Sequence, residues 1–421
     1  MIQQDECGKC EVFTEGIDCM DNRNKKKRLM VLGASYSQIP LFRAARRMGV
    51  TTVAASIPGN YQGFQEADEI VYVDITDPEA VLKAAKEADI DGVATCCMDV
   101  GIRALGYVCE KMGLPGLSIS AAEASCNKYL EKEAYIRHGV NTARFYKVQD
   151  KKDLEDALEE LTFPVMVKAV DLMGSRGIFR CDTKKEALEN FDKTMEATAQ
   201  NFCIVEEFIQ GTMFGVEAMV SKGELVYVLP LGNDLRQGNP PFPVGHHVPW
   251  EKEEALFSQI WEQTEKVVKA VGYDNCPLDL DCMFRDGKIY IIESTGRAGA
   301  TCITDTVGIY YGIDYFEAIV RAALGMDVKE LFQREDIPRT PSVTRLLSAE
   351  QKGIVEAVRI PEVLPEGVVD LSFNIEKGSQ VQPMENGRDR IGQLIIRGND
   401  LNQCYDRMET VLSQIHLEMK R

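Results

Sequence analysis

Short apolar segments alternate with amphipathic segments along residues 28–112, and this alternation constrains the fold more than any other feature of the chain. The apolar segments have the length of buried strands, whereas the amphipathic segments repeat their apolar residues at helical spacing. Strands and helices that alternate in this way pack as a parallel sheet covered by helices. The sequence therefore predicts a parallel α/β domain near the N-terminus.

The first predicted strand ends at Gly33, where a dinucleotide-binding domain would begin the motif G-x-G-x-x-G. Ser35 and Gln38 occupy the second and third glycine positions of that motif, which argues against an oxidoreductase with a bound dinucleotide. The ends of the parallel strands still form the expected substrate-facing edge of such a sheet.

Composition excludes several classes of protein. With 421 residues the chain is too long for one core, and its formal net charge of −18 argues against nucleic-acid binding. Because it lacks an apolar run that could span a bilayer and the apolar core of a signal peptide, we expect a cytoplasmic protein without membrane contact. The 13 cysteines are mostly scattered through apolar segments, as reduced thiols are. Cys7, Cys10 and Cys19 cluster without a fourth zinc ligand nearby, which favours a flexible tail.

Residues 276–304 predict a β-hairpin that turns at residues 285–287. Alternate residues of a strand point to the same side, so polar residues at two-residue steps share one face. The polar residues expected on that face are Asp279, Asp281, Glu293, Thr295 and Arg297. Paired carboxylates beside a guanidinium can hold Mg²⁺ and neutralise a phosphate in transfer. A solvated acidic face explains the hairpin alone equally well.

Lys168 lies inside an apolar strand, where an ammonium group needs an anionic partner. The loop that follows contains Gly174, Ser175, Arg176 and Gly177. Its glycines permit close approach of backbone N–H groups to phosphate oxygens, although most such loops are simple turns. Lys128 and Lys132 lie four residues apart on one face of a predicted helix, where lysines usually serve solubility.

Where a strand leaves its sheet, its backbone N–H and C=O groups are free to form hydrogen bonds with the edge of an adenine. The sequence predicts such an exit at Glu206, Glu207, Phe208 and Ile209, and the next strand carries Glu217. Residues 233–250 are rich in proline and glycine and predict a long loop that contacts substrate. That loop carries Arg236, His246 and His247, and the adjacent histidines do not predict a metal pair because neighbours in a strand point apart.

Residues 338–400 predict short strands separated by turns, and residues 401–419 predict a final helix. The C-terminal part is therefore expected to be a compact α+β module, without evident catalytic residues.

Taken together, these segments resemble the ATP-grasp superfamily, and within it the carboxylate–amine ligases that include the L-amino-acid ligases. The resemblance extends from about Lys27 to the C-terminus. It is carried by Asn127-Lys128, FPVMVKAVDLMGSRGI, VEEFIQGTMFGVEAMV, GHHVP, LDLDCMF with IIESTGRAG, and RIGQLIIRGND.

The resemblance implies an α/β and α+β multidomain fold. The expected parts are a tail at 1–27, an N-terminal α/β domain at 28–120, an ATP-grasp domain at 121–335 with a clamp subdomain at about 141–220, and a C-terminal α+β module at 336–421. It also implies ATP and Mg²⁺ as cofactors, small-molecule carboxylate and amine substrates, and a homodimer as the expected assembly.

The site residues that the resemblance implies fall into four groups. Arg297 and Lys168 would be catalytic, with Arg297 stabilising the transition state. ATP would contact Lys128, Lys168, the lid Gly174, Ser175, Arg176 and Gly177, the adenine-contacting segment Glu206, Glu207, Phe208 and Ile209, and Glu217 as a ribose or supporting contact. Mg²⁺ would bind Asp281, Glu293 and Thr295. Substrate would contact Arg236, His246, His247, Arg297 and Gly299.

Thr295 departs from the family pattern, which writes Glu-x-Asn-x-Arg where this chain has Glu293 to Arg297. Its hydroxyl reaches less far than an amide carbonyl, which weakens the prediction of a second Mg²⁺. The predicted function is ATP-dependent amide-bond formation through an acyl phosphate. The alternatives are another ATP-grasp reaction, such as a carboxylation, and a nucleotide-binding regulatory protein that has lost its chemistry.

Overall fold

The computed structural model of the protein describes residues 26–172, 174, 176–238 and 241–420. Most of the expected tail, including Cys7, Cys10 and Cys19, lies outside the described residues. Within the described chain, the search for a helix long and apolar enough to cross a bilayer finds none. The cysteines of that part are free thiols, as their scattered positions predict.

The strands are β1 (Arg28–Leu32), β2 (Thr51–Ser56), β3 (Glu69–Tyr72), β4 (Gly92–Ala94), β5 (Phe145–Val148), β6 (Val165–Lys168), β7 (Ile178–Cys181), β8 (Cys203–Glu207), β9 (Thr212–Ser221), β10 (Glu224–Arg236), β11 (Phe242–Val248), β12 (Cys276–Arg285), β13 (Lys288–Thr295), β14 (Ser342–Leu347), β15 (Gly353–Arg359), β16 (Val368–Phe373), β17 (Gln380–Val381), β18 (Gly392–Arg397) and β19 (His416–Met419).

The α-helices are α1 (Ile39–Arg47), α2 (Pro78–Glu87), α3 (Ile102–Met112), α4 (Ile119–Ser125), α5 (Lys128–His138), α6 (Lys151–Glu160), α7 (Lys184–Ala197), α8 (Glu253–Val271), α9 (Ile303–Tyr311), α10 (Tyr315–Ala323), α11 (Lys329–Phe332) and α12 (Leu401–Leu412).

The first four strands form the predicted parallel sheet, in the order β3-β2-β1-β4. Successive residues of β1 pack on opposite faces: Leu29 and Val31 pack with residues of α1, whereas Met30 and Leu32 pack with residues of α2 and α3. A strand buried on both faces is apolar throughout, which is why its sequence shows a continuous apolar run.

A second, antiparallel sheet has the order β5-β8-β6-β7 and shares one core with α6 and α7. β8 lies between β5 and β6, and Glu206 on β8 faces Met166 on β6 in the strand register. Lys168 ends β6 opposite Ile204, so Lys168 and Glu206 are diagonal neighbours on adjacent strands of this small sheet.

The largest sheet has eight strands in the order β13-β12-β9-β10-β11-β14-β18-β16, and its strand pairs are antiparallel. It therefore joins the acidic hairpin to strands from the C-terminal part of the chain. α8 packs on one face and α9 and α10 on the other. The predicted α/β and α+β multidomain fold class is confirmed.

The prediction of one long loop at residues 233–250 is wrong, because β10 extends to Arg236 and β11 begins at Phe242. Pro243 lies opposite Leu235, beside a shift in strand register, where a missing N–H is tolerated. Gly245 lies where a Cβ atom would come within 2.1 Å of the Thr344 carbonyl oxygen. Gly245 thus marks a close approach between β11 and β14, and Pro243 marks a bulge between β10 and β11.

The final helix is also shorter than predicted, since α12 ends at Leu412 and β19 follows. β19 pairs with β15 in an antiparallel register. Ile415, Leu417 and Met419 pack beside the C-terminal core at the two-residue step of a strand.

Candidate active site

The acidic hairpin forms as predicted from β12 and β13. Asp281 lies directly opposite Glu293, and Asp279 lies opposite Thr295. A register shift follows Asp281, which twists the strand locally where its acids emerge. Two carboxylates therefore stand side by side on neighbouring strands.

Lys128 connects this hairpin to the N-terminus of α5. Its Nζ lies 3.0 Å from Oε2 of Glu293 and donates a hydrogen bond of 2.9 Å to the carbonyl oxygen of Leu172. Burial opposes charge on Glu293, but Lys128 and then Lys168 outweigh it and lower the pKa of Glu293 to about 2. Glu293 is thus an anion at neutral pH.

The side chain of Asp281 forms no hydrogen bond or ion pair with any described residue. Burial raises the pKa of Asp281 well above its usual value, and the charges of Glu293 and Asp279 raise it further. A bound cation would therefore stabilise the ionised form of Asp281, which burial and the neighbouring carboxylates disfavour. The oxygen donors of Asp281 and Glu293 fit Mg²⁺, a hard ion that one or two carboxylates commonly hold together with substrate phosphates.

Thr295 lies at the C-terminal end of β13 and is 8% exposed. Its place opposite Asp279 leaves its hydroxyl two residues beyond the Asp281–Glu293 pair. Among the described residues, no group of three or more His, Cys, Asp or Glu side chains is arranged to hold a metal. The donor set of the hairpin thus consists of two carboxylates, with Thr295 as a weak candidate for a third donor.

A buried triad of charged residues lies beside the small antiparallel sheet. Glu206 Oε2 is 2.7 Å from Nζ of Lys132, and its other carboxylate oxygen pairs with Lys168. Burial favours the neutral acid, but the two ammonium groups outweigh it and lower the pKa of Glu206. With both lysines protonated, the triad carries one uncompensated positive charge, which suits a phosphate anion.

The segment after Glu206 leaves the sheet as predicted. The N–H of Glu207 donates to Arg144 and the N–H of Phe208 donates to Pro164, at 2.9 and 3.1 Å. The N–H of Ile209 donates to no described residue. Because the Glu206 side chain is 1% exposed and held by lysines, the free backbone of Ile209 is the better candidate for an adenine contact.

The predicted lid is described only in part, since Ser175 lies outside the described residues. Gly174 and Gly177 have φ angles of +67° and +64°, which glycine adopts without strain. A Cβ atom at Gly177 would also lie 2.9 Å from the Cβ of Ala169. Gly174 and Arg176 line the large cavity described below.

Arg297 connects the hairpin to the N-terminal domain. Its guanidinium binds Asp99, with Nε and Nη2 each 2.6 Å from Oδ1, and its Nη1 pairs with Asp279. Burial opposes the charge, but the two carboxylates outweigh it and raise the pKa of Arg297 well above its usual value. Asp99 follows β4 and was not predicted from the sequence as a site residue.

Glu217 lies beneath this arrangement and is fully buried. It accepts hydrogen bonds from the N–H of Gly299 at 3.1 Å and from the hydroxyl of Tyr315 at 2.8 Å. Burial, and then the charge of Asp279, raise the pKa of Glu217 well above its usual value. Glu217 therefore holds the turn after Arg297 in place. Of the two roles expected for Glu217, this contact favours the supporting role over a ribose contact.

A network of buried hydroxyl groups around Glu131 ties α5 to β13. Oε1 of Glu131 accepts from the hydroxyl of Tyr135 and from both the N–H and the hydroxyl of Ser294. Tyr273 contacts the Ser294 hydroxyl at 3.0 Å. Burial raises the pKa of Glu131 to about 7. Since Ser294 stands between the two site residues of β13, this network sets their position relative to Lys128.

A cavity of about 1030 Å³ opens beside Arg297 and is lined by parts of the chain distant in sequence. The N-terminal domain contributes Cys97, Asp99 and Arg103, where the parallel strands were expected to present a substrate-facing edge. The C-terminal module contributes Arg390, which also donates a 3.1 Å hydrogen bond to Ser37. Arg390 could not be predicted from the sequence as a site residue, because its guanidinium reaches the cavity only through tertiary packing.

The two histidines lie outside the lining of this cavity. His246 is 4% exposed, and its Nδ1 is 2.8 Å from Asn233, whereas Nδ1 of His247 is 3.0 Å from the hydroxyl of Tyr405 on α12. Neighbouring side chains point apart as expected for a strand. Arg236 lines a separate, smaller cavity.

Two family models match parts of the chain. A family model described as "Phosphoribosylglycinamide synthetase, ATP-grasp (A) domain" matches residues 126–238. A second, described as "L-amino acid ligase C-terminal domain 2", matches residues 345–420.

A solved phosphoribosylglycinamide synthetase from Anaerococcus prevotii is 35% identical, with a TM-score of 0.81 over 94% of this chain and 100% of that one. An L-amino acid ligase from Bacillus licheniformis shares the fold, with a TM-score of 0.80 at 21% identity over 94% of this chain and 99% of that one. A formate-dependent phosphoribosylglycinamide formyltransferase from Synechococcus sp. (strain RCC307) is 23% identical over 93% of this chain and 97% of its own length. The chain therefore belongs to the ATP-grasp superfamily and to its carboxylate–amine ligase branch, whose members form carbon–nitrogen bonds at the expense of ATP.

Proposed function

We propose that the protein joins the carboxylate of an amino acid to an amine, using ATP and an acyl-phosphate intermediate. The observation that carries the proposal is the convergence of Lys128, Glu293, Asp281 and Arg297 on the hairpin. Lys128 pairs with Glu293, Glu293 lies opposite Asp281, and Arg297 pairs with Asp279 two residues before Asp281. These residues supply an ammonium group, two carboxylates that can bind Mg²⁺ and a guanidinium within one site. Phosphoryl transfer requires these functional groups.

In the proposed reaction, the substrate carboxylate attacks the γ-phosphate of ATP and displaces ADP. An amine then attacks the acyl carbon, and inorganic phosphate leaves. Lys128 and the Lys132–Glu206–Lys168 triad would bind the phosphates, with the backbone of residues 207–209 at the adenine. Asp281 and Glu293 would hold Mg²⁺, which neutralises phosphate charge when bound.

Arg297 is best placed to stabilise charge on the phosphate in transfer. Asp99 and Asp279 already orient its guanidinium, so little reorganisation is needed during the reaction. Because an acyl phosphate hydrolyses in water, a lid formed by residues 174–177 would exclude water from the cavity.

The charges of the large cavity support a zwitterionic substrate. Arg390 can bind a carboxylate, and Arg103 can do so beside its ion pair with Glu123. Oδ2 of Asp99, whose Oδ1 binds Arg297, can bind an ammonium group. The match of residues 345–420 to an L-amino acid ligase domain supports the same class of substrate. His246, His247 and Arg236 lack contact with this cavity, so we do not assign them to its substrate.

A second candidate is the ligation of glycine to phosphoribosylamine, favoured by the name of the 35% identical Anaerococcus protein. It uses the same activation chemistry, so the same residues would serve it. The second candidate is the special case in which the acid is glycine and the amine is phosphoribosylamine.

Phosphate release from Mg·ATP, measured with single amino acids and with pairs, tests the proposal, and mass spectrometry identifies the product. We expect release only when a suitable carboxylate and amine are both present. Release that needs glycine and phosphoribosylamine generated in the assay would favour the second candidate. Release that requires bicarbonate would indicate a carboxylase, and ATP binding without turnover under any of these conditions would indicate a regulatory protein.

A further inference from the structure

A second cavity, of about 650 Å³, lies within the C-terminal part of the molecule, between β10, β14 and the segment from α12 to β19. Among the described lining residues, it shares only Leu346 with the cavity beside Arg297. Its apolar wall includes Phe373, Met384, Ile391, Leu412, Ile415 and Leu417. Its volume falls within the range of small-molecule sites in proteins.

Two arginines line this cavity. Arg236 donates a hydrogen bond of 3.2 Å to the hydroxyl of Ser348 and has no acidic partner in the described chain. Arg345 binds Asp234 at 2.8 Å through Nη2. Its Nε is buried and has no hydrogen-bond partner among the described residues. A buried donor without a partner costs free energy, which a bound acceptor would recover.

The sheet brings these two arginines together across three strands. Arg236 ends β10, and Arg345 lies on β14, with β11 between them. Gly245 on β11 lies opposite Asp234, and its missing side chain permits the close approach of the β14 backbone at Thr344 and Arg345. The arginine positions are therefore built into the sheet and do not depend on an exposed loop.

The charged residues that line this cavity could be balanced by one bound negative group. Asp234 neutralises Arg345, while Arg236 remains without an acidic partner. Glu350, the acidic residue among the described lining residues, is exposed. A planar guanidinium binds a carboxylate through two parallel hydrogen bonds, and the apolar wall suits an apolar body.

We infer that this cavity binds a small monocarboxylate with an apolar body, whose carboxylate pairs with Arg236 and accepts from Nε of Arg345. The site is separate from the proposed reaction. Its described lining includes none of the lysines, hairpin acids or Arg297, and it shares only Leu346 with the cavity beside Arg297.

Calorimetric titration with 4-phenylbutyrate tests the inference, with 4-phenylbutylamine and 4-phenylbutanol as cationic and neutral analogues of the same apolar body. We expect one phenylbutyrate per chain and at least tenfold weaker binding of both analogues. Arg236→Gln should weaken phenylbutyrate about tenfold or more, because a charged hydrogen bond is lost. Leu412→Trp should weaken all three ligands by filling the cavity.

Arg137→Gln, a loss of the same charge on the exposed face of α5, is the matched control and should leave binding unchanged. Circular dichroism and thermal unfolding of each variant separate lost binding from lost folding. Absent binding, binding that survives Arg236→Gln, or competition between phenylbutyrate and a nonhydrolysable ATP analogue would overturn the inference. Failure of the proposed ligase reaction would leave it intact, since the titration contains neither ATP nor a second substrate.

Discussion

Apart from Asp281, the charged side chains of the site are held by opposite charges. Glu293 is paired with Lys128, Glu206 with two lysines, and Arg297 with Asp99 and Asp279. Such pairs cost desolvation, so they contribute to stability less than their number suggests. Their value lies in orientation, since each charge is already placed where a phosphate, a metal or a substrate would meet it.

Glu293→Gln should lower ADP formation about 100-fold or more, because the amide cannot replace the charge that faces Asp281 and Lys128. The isosteric change should leave the circular dichroism spectrum unaltered. Glu265→Gln, on the exposed face of α8, is the control and should retain full activity. Near-normal turnover of the Glu293 variant would remove this residue from the proposed site.

Substitutions of Arg297 can separate the effect of its positive charge from the effect of its guanidinium geometry. Arg297→Lys keeps the positive charge but loses the forked contact to Asp99, so we expect a fall in kcat of about tenfold to 100-fold. Arg297→Ala should lose activity further. Steady-state kinetics check this order, and equal activities of the two variants would contradict a role for the guanidinium itself.

At the scale of elements, the position of the site depends on contacts between α5 and β13. The sequence predicted both elements and the facing acids of the hairpin, because strand periodicity places alternate residues on one face. It did not predict the Glu131 network, since nothing local relates residue 131 to Ser294. Long-range hydrogen bonds of this kind appear only once the helix is packed on the sheet.

Glu131→Ala should destabilise the fold by roughly 1–3 kcal/mol, because the buried donors of Tyr135 and Ser294 lose their acceptor. It should also lower kcat, since Lys128 and Glu293 are then less well fixed. Glu131→Gln keeps an acceptor oxygen and should recover most of both losses. Urea unfolding and steady-state kinetics measure the two effects, and a stability loss without any change in kcat would limit Glu131 to a structural role.

His247 should make the attachment of α12 dependent on pH. Burial lowers the pKa of His247, but Asp234 and Glu251 outweigh it and raise the pKa above its usual value. The stabilisation is therefore complete below the ordinary histidine pKa of about 6.5 and is lost as the pH rises through the higher pKa of the folded state.

His247→Gln should accordingly reduce the free energy of unfolding more at pH 5.5 than at pH 9. The stability difference between wild type and variant is read from urea midpoints at the two pH values. His138→Gln, an exposed histidine at the end of α5, is the matched control. An equal loss at both pH values would show that the His247 charge does not matter.

At the scale of the molecule, the site is a junction of three sheets. The hairpin comes from the eight-stranded sheet, the lysine–glutamate triad involves the small sheet, and Asp99 comes from the parallel sheet. A ligand that contacts all three would stabilise the whole assembly, because it binds only when they are packed together.

Mg·ATP at 100 times its dissociation constant should therefore stabilise the protein by about 2.7 kcal/mol. ATP with excess EDTA should give a smaller effect, and Glu293→Gln should reduce the difference between the two conditions. Thermal unfolding provides the measurement. Equal stabilisation by ATP with and without Mg²⁺ would contradict a metal site at Asp281 and Glu293.

The sequence by itself determined the parallel sheet, the acidic hairpin and the lysine-containing strand, because each depends on local periodicity and on residue chemistry. Tertiary structure decided that residues 242–248 form a strand and that residues 416–419 pair with β15, since neighbouring strands supply the hydrogen bonds that override local signals. It also decided which charged residues meet. Asp99 and Arg390 reach the cavity beside Arg297 while His246 and His247 do not, because domain packing, and not sequence spacing, places their side chains.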